Sequence, residues 1–221
     1  MSGKLIVIEG LDGSGKATQS ALLRVSLEAR GFKVRALDFP RYDSDSSALV
    51  RMYLRGDFGS DPDAVNSYAA AAFYAVDRAA SYLDDWRKDY EAGAVLVADR
   101  YTTSNAVYQT AKLPVAERSA FLEWLFDFEY NKLALPAPDA VIYLDMDIGV
   151  SERLLAKRYG GDESKKDIHE KSGEFQRRCR SAALACADKR GWHIISCDES
   201  GEPRSESDIA ADVMRAVELA L

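Results

Sequence analysis

The chain has 221 residues, 47% hydrophobic and 29% charged, with a net charge of −7. That is enough for one domain with a sizeable core, and the acidic balance argues against nucleic-acid binding, which needs a basic footprint. No apolar run approaches a membrane span, and the N-terminus enters a strand directly, so neither a signal peptide nor a membrane partner is expected.

In chain order, the apolar run Leu5-Ile6-Val7-Ile8 meets Glu9-Gly10-Leu11-Asp12-Gly13-Ser14-Gly15-Lys16-Ala17-Thr18. The loop reads G-x-x-x-x-G-K, with Ala17 where a phosphate-binding loop carries Ser or Thr. Its glycines let successive N–H groups converge on an anion. A helix N-terminus adds a favourable dipole, and Lys16 adds a positive charge. The pattern predicts a strand, a nucleotide phosphate site and a helix over 17–30 stopped by Gly31. Residues 32–39 read as a second strand ended by Pro40. Residues 43–47 offer N-caps for a short helix through Leu54.

Asp63 is expected to cap one long helix through Tyr90, ended by Gly93. Residues 94–98 form a third strand closing on Asp99-Arg100-Tyr101, and Ser104 onward is helical. Pro114 starts a helix that Pro136 and Pro138 break. Residues 140–144 form a fourth strand ending at Asp145, followed by a helix over 150–158. The polar, glycine-bearing stretch from Tyr159 to Asp167 reads as a mobile surface loop. A helix over 173–190, a fifth strand over 193–197 and a last helix capped by Ser207 complete the chain. Strands alternating with helices predict a single α/β domain with a five-stranded parallel sheet covered on both faces. Cys179 and Cys186, seven apart, read as buried thiols on one helix face. With Cys197 they make an odd count without metal spacing, as in a reducing cytoplasm.

Ligands of such sheets bind at the carboxyl ends of the strands. Four features land there: the glycine loop, Phe39-Pro40-Arg41-Tyr42, Asp99-Arg100-Tyr101, and Asp145. Asp99 can hold Mg²⁺ or a water of its shell, or act on an acceptor oxygen. Arg100 suits a bidentate phosphate contact. Tyr74 and Arg78, at i and i+4, share a helix face and can stack on a base and bond its edge; core packing for Tyr74 and a solvated Arg78 are the rival reading. Asn105 and Tyr108 follow at i and i+3, and an amide can read a base edge. Arg158, Lys165 and Lys166 in the polar loop suit a lid that covers a transferred phosphoryl group; a solvated charged loop is the alternative.

Together these motifs resemble the thymidylate kinase family of P-loop nucleoside-monophosphate kinases. The similarity lies in residues 9–16, Phe39-Pro40-Arg41-Tyr42, Phe73 to Ala79, Asp99 to Tyr108, Val141 to Asp145, and Asp167-Ile168-His169-Glu170. It implies the three-layer P-loop fold with a lid over about 158–172, ATP and dTMP as substrates, Mg²⁺ and a homodimer. It also implies that Gly10, Leu11, Asp12, Gly13, Ser14, Gly15, Lys16, Ala17 and Thr18 bind ATP, with Lys16 on the β-phosphate. By the same resemblance Arg41 and Arg100 grip the dTMP phosphate, Tyr74 stacks on thymine, Arg78 reads its edge, and Asn105 and Tyr108 finish the pocket. Asp12 faces the acceptor or the metal shell.

Three departures stand out. Ala17 lacks the metal-binding hydroxyl, leaving Mg²⁺ to Asp12, Asp99, phosphates and water. Ile168 replaces an arginine at the lid end, and Gly13-Ser14 carries none. The missing charge is expected from Arg158, then from Lys165 or Lys166. In this reading the dTMP phosphate attacks the γ-phosphorus of ATP in line, with positioning and charge doing most of the work. The alternatives are a kinase of another monophosphate, such as dUMP, and a nucleotide-binding protein without catalysis.

Overall fold

A computed structural model describes residues 2–162, 167–170 and 172–221. Among them the main sheet has five strands: β1 (Lys4–Gly10), β2 (Val34–Asp38), β3 (Val95–Asp99), β4 (Ala140–Asp145) and β5 (His193–Ser196). They run in the order β2-β3-β1-β4-β5, every pair parallel. Central β1 is apolar on both faces because both are covered. Ile6 and Ile8 pack with Leu23, Leu27, Val97 and Ile142 on one side. Leu5 and Val7 pack with Leu37, Trp86, Leu96 and Val141 on the other.

Helices α1 (Lys16–Ala29), α2 (Ala48–Arg55), α3 (Ser67–Ser81), α4 (Arg87–Glu91), α5 (Thr102–Tyr108), α6 (Val115–Phe126), α7 (Ile148–Tyr159), α8 (Gly173–Arg190) and α9 (Glu206–Glu218) surround the sheet. Helices α1 and α9 cover one face, where Leu23 and Leu27 meet Ile209, Val213 and Val217. Helices α5 and α8 pack on the other side of β1 and β4, around Tyr143, Phe175 and Cys179. All three cysteines are free and buried.

The long helix expected from Asp63 is shorter and interrupted. Pro62–Ala64 is a 3-10 turn whose cap, Asp61, accepts from the Asp63 amide, and Val65 is extended. Asn66 is the true cap, its side chain accepting from the Ala69 amide at 2.9 Å. A π turn over Tyr82–Trp86 then separates α3 from α4 and seats the fully buried Trp86 against the sheet. Ser205, not Ser207, caps α9, its hydroxyl accepting from the Asp208 amide at 3.1 Å. A small antiparallel pair, β6 (Asp198–Glu199) and β7 (Glu202–Pro203), had no signal in the sequence pattern. A second π turn, Asp127–Lys132, extends α6. No described helix is long and apolar enough to cross a membrane.

Candidate functional site

The register brings the strand ends together: Asp99 lies level with Ile8 on one side and Asp38 on the other, and Gly10 lies level with Leu144. The glycine loop bridges β1 to α1. A side chain at Gly10 would put its Cβ 2.4 Å from Ser14 Oγ, and one at Gly13 would lie 2.8 Å from the Ser151 carbonyl. The loop is therefore closed to anything larger than glycine at both places. Gly15 caps α1 with no side-chain bond and the first turn carries no acid, so the helix amides and dipole are left to an external anion. Lys16 is nearly buried, its Nζ donating to the Leu11 carbonyl at 2.8 Å and lying 3.9 Å from Asp12. Burial, and then Arg100, lower its ammonium below the ordinary value.

Two cavities meet over this loop. One, about 280 Å³, is lined by Lys16, Ala17, Thr18, Asp38 and Asp99. The other, about 380 Å³, runs past Tyr74, Arg78, Ser104, Asn105 and Tyr108. Asp12, Tyr42, Arg100 and Arg158 line both. Asp12 is the junction. It pairs with Arg100, accepts from the Tyr108 hydroxyl at 3.2 Å, and faces Lys16. Burial alone would raise its carboxyl, but Arg100 and then Lys16 outweigh burial and hold it below the carboxylate range. Arg100 takes a left-handed backbone, φ 68°, a strained setting for a non-glycine residue, and its guanidinium lies 5.4 Å over the Tyr108 ring.

At the deep end of the second cavity Arg78 is 2% exposed. It is buried and on the cavity wall at once, so the solvated reading of its sequence position does not hold. Its Nε and Nη2 donate to the two Glu129 oxygens at 2.7 and 2.5 Å. Asn105 Nδ2 donates to the Ala71 carbonyl at 3.1 Å and to Glu129 at 3.2 Å. Tyr74 lines the same wall, packed edge-on against Tyr53, and burial pushes its hydroxyl well above the ordinary value.

Some expected residues stand elsewhere. Arg41 lines neither cavity; its backbone N–H donates to Asp77 at 2.9 Å, which ties the Phe39–Tyr42 turn to α3. Asp145 accepts a bidentate pair from Arg180 at 2.7 and 2.9 Å and serves structure. Arg158 sits in the last turn of α7 rather than in a loop, while Lys165 and Lys166 lie outside the described residues.

Other site residues were missed. Gln109, fully buried on the cavity wall, has neither amide atom partnered; its position four after Asn105 was the available signal. Glu9, a carboxylate at the end of an apolar strand, accepts from Thr103 and Ser104 and is raised by burial. His169 stacks on Tyr108 at 5.3 Å and bonds the Tyr53 hydroxyl at 3.0 Å; burial lowers it to about 3. Nothing local marked Glu129, which is distant in sequence from every motif. Among the described residues no three carboxylate, histidine or cysteine side chains converge as a metal site.

A parallel sheet in this order, with a glycine loop feeding a helix N-terminus at the central strand, defines a P-loop nucleotide-binding protein. The thymidylate kinase family model matches residues 8–208. Thymidylate kinase of Mycobacterium tuberculosis is 33% identical over 205 residues, covering 88% of this chain and 92% of that protein. The Bifidobacterium longum subsp. infantis enzyme is 34% identical over 218 residues, covering 96% and 87%. The chain belongs to the thymidylate kinase family. In fold it is similar to the solved thymidylate kinases of Candida albicans (TM-score 0.70, 20% identity, 99% and 92% covered) and Ehrlichia chaffeensis (0.68, 19%, 98% and 100%).

Proposed function

We propose that the chain transfers the γ-phosphoryl group of ATP to dTMP, giving dTDP and ADP. The observation that carries this is the meeting of the two cavities at Asp12, Arg100 and Arg158. The loop amides from Gly10 to Gly15 and Lys16 hold the donor's β-phosphate, with Thr18 near the α-phosphate. Arg100 holds the acceptor phosphate, and Arg41 adds charge from just outside the wall. Arg158, shared by both cavities, supplies the charge over the transferred group that the glycine loop lacks. The base enters the deeper cavity, where Tyr74 offers a face and Arg78, Asn105 and Gln109 offer an edge.

The donor set suits Mg²⁺ held mostly through water. Asp99 and Asp38 end adjacent strands on the wall beside Ala17, and burial, then Asp99, raises the Asp38 carboxyl. Asp12 and Asp99 would hold the ion's waters, and the ion would neutralise phosphate charge. The reaction needs no covalent intermediate on the protein: Arg100, Asp12 and Lys16 set the two phosphates in line, and Arg158 and Glu170, on the walls of both cavities, help to keep water from them. Three buried free thiols fit a reducing cytoplasm. Exposed Val76 and Leu83, seven apart along the long helical segment, suit a homodimer face. ADP release compared across dTMP, dUMP, CMP, AMP and GMP tests the reading. The highest kcat/KM is expected with dTMP; any other monophosphate in first place overturns it.

A further inference from the structure

Glu129 lines neither of the two site cavities, yet it bonds two residues that line one of them. Its carboxylate is fully buried in the π turn Asp127–Lys132, a helix defect that often marks a functional position. One oxygen accepts from Arg78 Nη2 at 2.5 Å and from Asn105 Nδ2 at 3.2 Å. The other accepts from Arg78 Nε at 2.7 Å and from the Thr102 hydroxyl at 2.7 Å. Every one of these contacts has Glu129 as acceptor.

That has a consequence for Asn105. An amide presents NH₂ on one side and C=O on the other. Both neighbours of its nitrogen, the Ala71 carbonyl and the Glu129 carboxylate, can only accept. The NH₂ group must therefore face them, and Oδ1 is left as an acceptor on a cavity-lining residue. Arg78 likewise spends its Nε–H and one Nη2–H on Glu129, which leaves only guanidinium N–H donors for the base edge. Arg78 and Asn105 thus offer a donor and an acceptor of fixed sense, beside the Gln109 amide, whose two atoms have no partner. A pyrimidine with a C4 carbonyl and an N3–H complements that pair. Cytosine, with an amine at C4 and an unprotonated N3, presents the reverse.

We infer that Glu129 is a positioning residue for base specificity: by accepting from Arg78 and, beside the Ala71 carbonyl, from Asn105, it holds the groups with which the wall reads the base edge. This rests on the dTMP reading above and goes beyond it by assigning discrimination to a residue that never meets the base. The preference of kcat/KM for dTMP over dCMP is the readout, since a residue that only supported the fold would lower both together.

Glu129→Gln puts an amide, with a donor of its own, in place of the carboxylate, so Arg78 loses its charged bidentate partner and the Asn105 amide is held by the Ala71 carbonyl alone. We expect KM for dTMP to rise ~tenfold and the dTMP-over-dCMP preference to fall ~tenfold, with KM for ATP within about twofold of wild type, because discrimination by paired polar groups is lost when they are no longer held in place. Thermal unfolding reports whether the variant folds. If it does not, Thr102→Val removes one bond to the same carboxylate while keeping the charge pair, and the preference should fall about threefold. An unchanged preference in a folded variant, even with kcat reduced for both nucleotides, overturns the inference. Wild-type protein without turnover of dTMP would instead overturn the functional reading.

Discussion

Ala17 stands exposed in the first turn of α1, on the wall of the phosphate-side cavity, and offers no oxygen to a metal. Restoring the hydroxyl is a small change at a surface position, so Ala17→Ser should leave unfolding within about 0.5 kcal/mol of wild type. We expect it to keep or raise activity when Mg²⁺ is limiting, seen as a lower half-saturating concentration in initial rate against free Mg²⁺. A large loss of rate at all concentrations would mean that the position has another role. Arg78 carries a different lesson. Its spacing from Tyr74 was legible, and so was its guanidinium chemistry. Its burial was not, because the partner that makes burial tolerable, Glu129, lies 51 residues away in the chain. An unpaired charge at that depth would cost several kcal/mol, on the order of 3–5 when one partner of a buried pair is removed.

The segment 167–170 lies within the stretch proposed as a lid, and Asp167, His169 and Glu170 line the base-side cavity. Asp167 caps the segment, accepting from the His169 and Glu170 amides at 2.8 and 2.9 Å. His169 reaches Tyr53, whose hydroxyl also accepts from Lys112 at 2.8 Å. Burial, and then the nearby Asp12, push the Asp167 carboxyl from 3.8 up to about 7. The folded chain therefore keeps a proton that the unfolded chain releases. Its contribution to stability is full below about pH 4 and is lost as pH rises through about 7. Asp167→Asn keeps the capping oxygen and removes the titration. In urea unfolding across that window, the wild type should lose stability with rising pH more steeply than the variant; equal slopes would remove Asp167 from the account. The polar composition of 159–167 suggested a lid in the sequence, but not that Asp167, His169 and Glu170 line a wall of the site.

At the scale of the whole molecule, α3 and the π turn after it leave Val76 52% and Leu83 69% exposed. Burying such side chains stabilises by about 25 cal/mol per Å², which favours pairing two copies through this face. Sedimentation should show a dimer that dissociates on dilution, and Leu83→Glu should shift it toward monomer. A wild-type protein that stays monomeric throughout would rule that face out. The sheet itself was largely legible: five strands, each four to seven residues long, alternating with helical periodicity. The strand order was not, because pairing depends on how the crossovers pack.

The sequence by itself determined the glycine loop, the alternation of strands and helices, and the placing of the candidate site residues at strand ends. These follow from local physics: glycine's backbone freedom, hydrophobic period, and charge beside a helix N-terminus. Only the tertiary structure decided which of those residues share a cavity. It set Asp12 between Arg100, Tyr108 and Lys16, kept Asp145 for Arg180, left Arg41 off the wall, and joined Glu129 to Arg78 and Asn105. Buried polar groups must find partners wherever the chain brings them, and those partners come from distant segments that no local pattern connects.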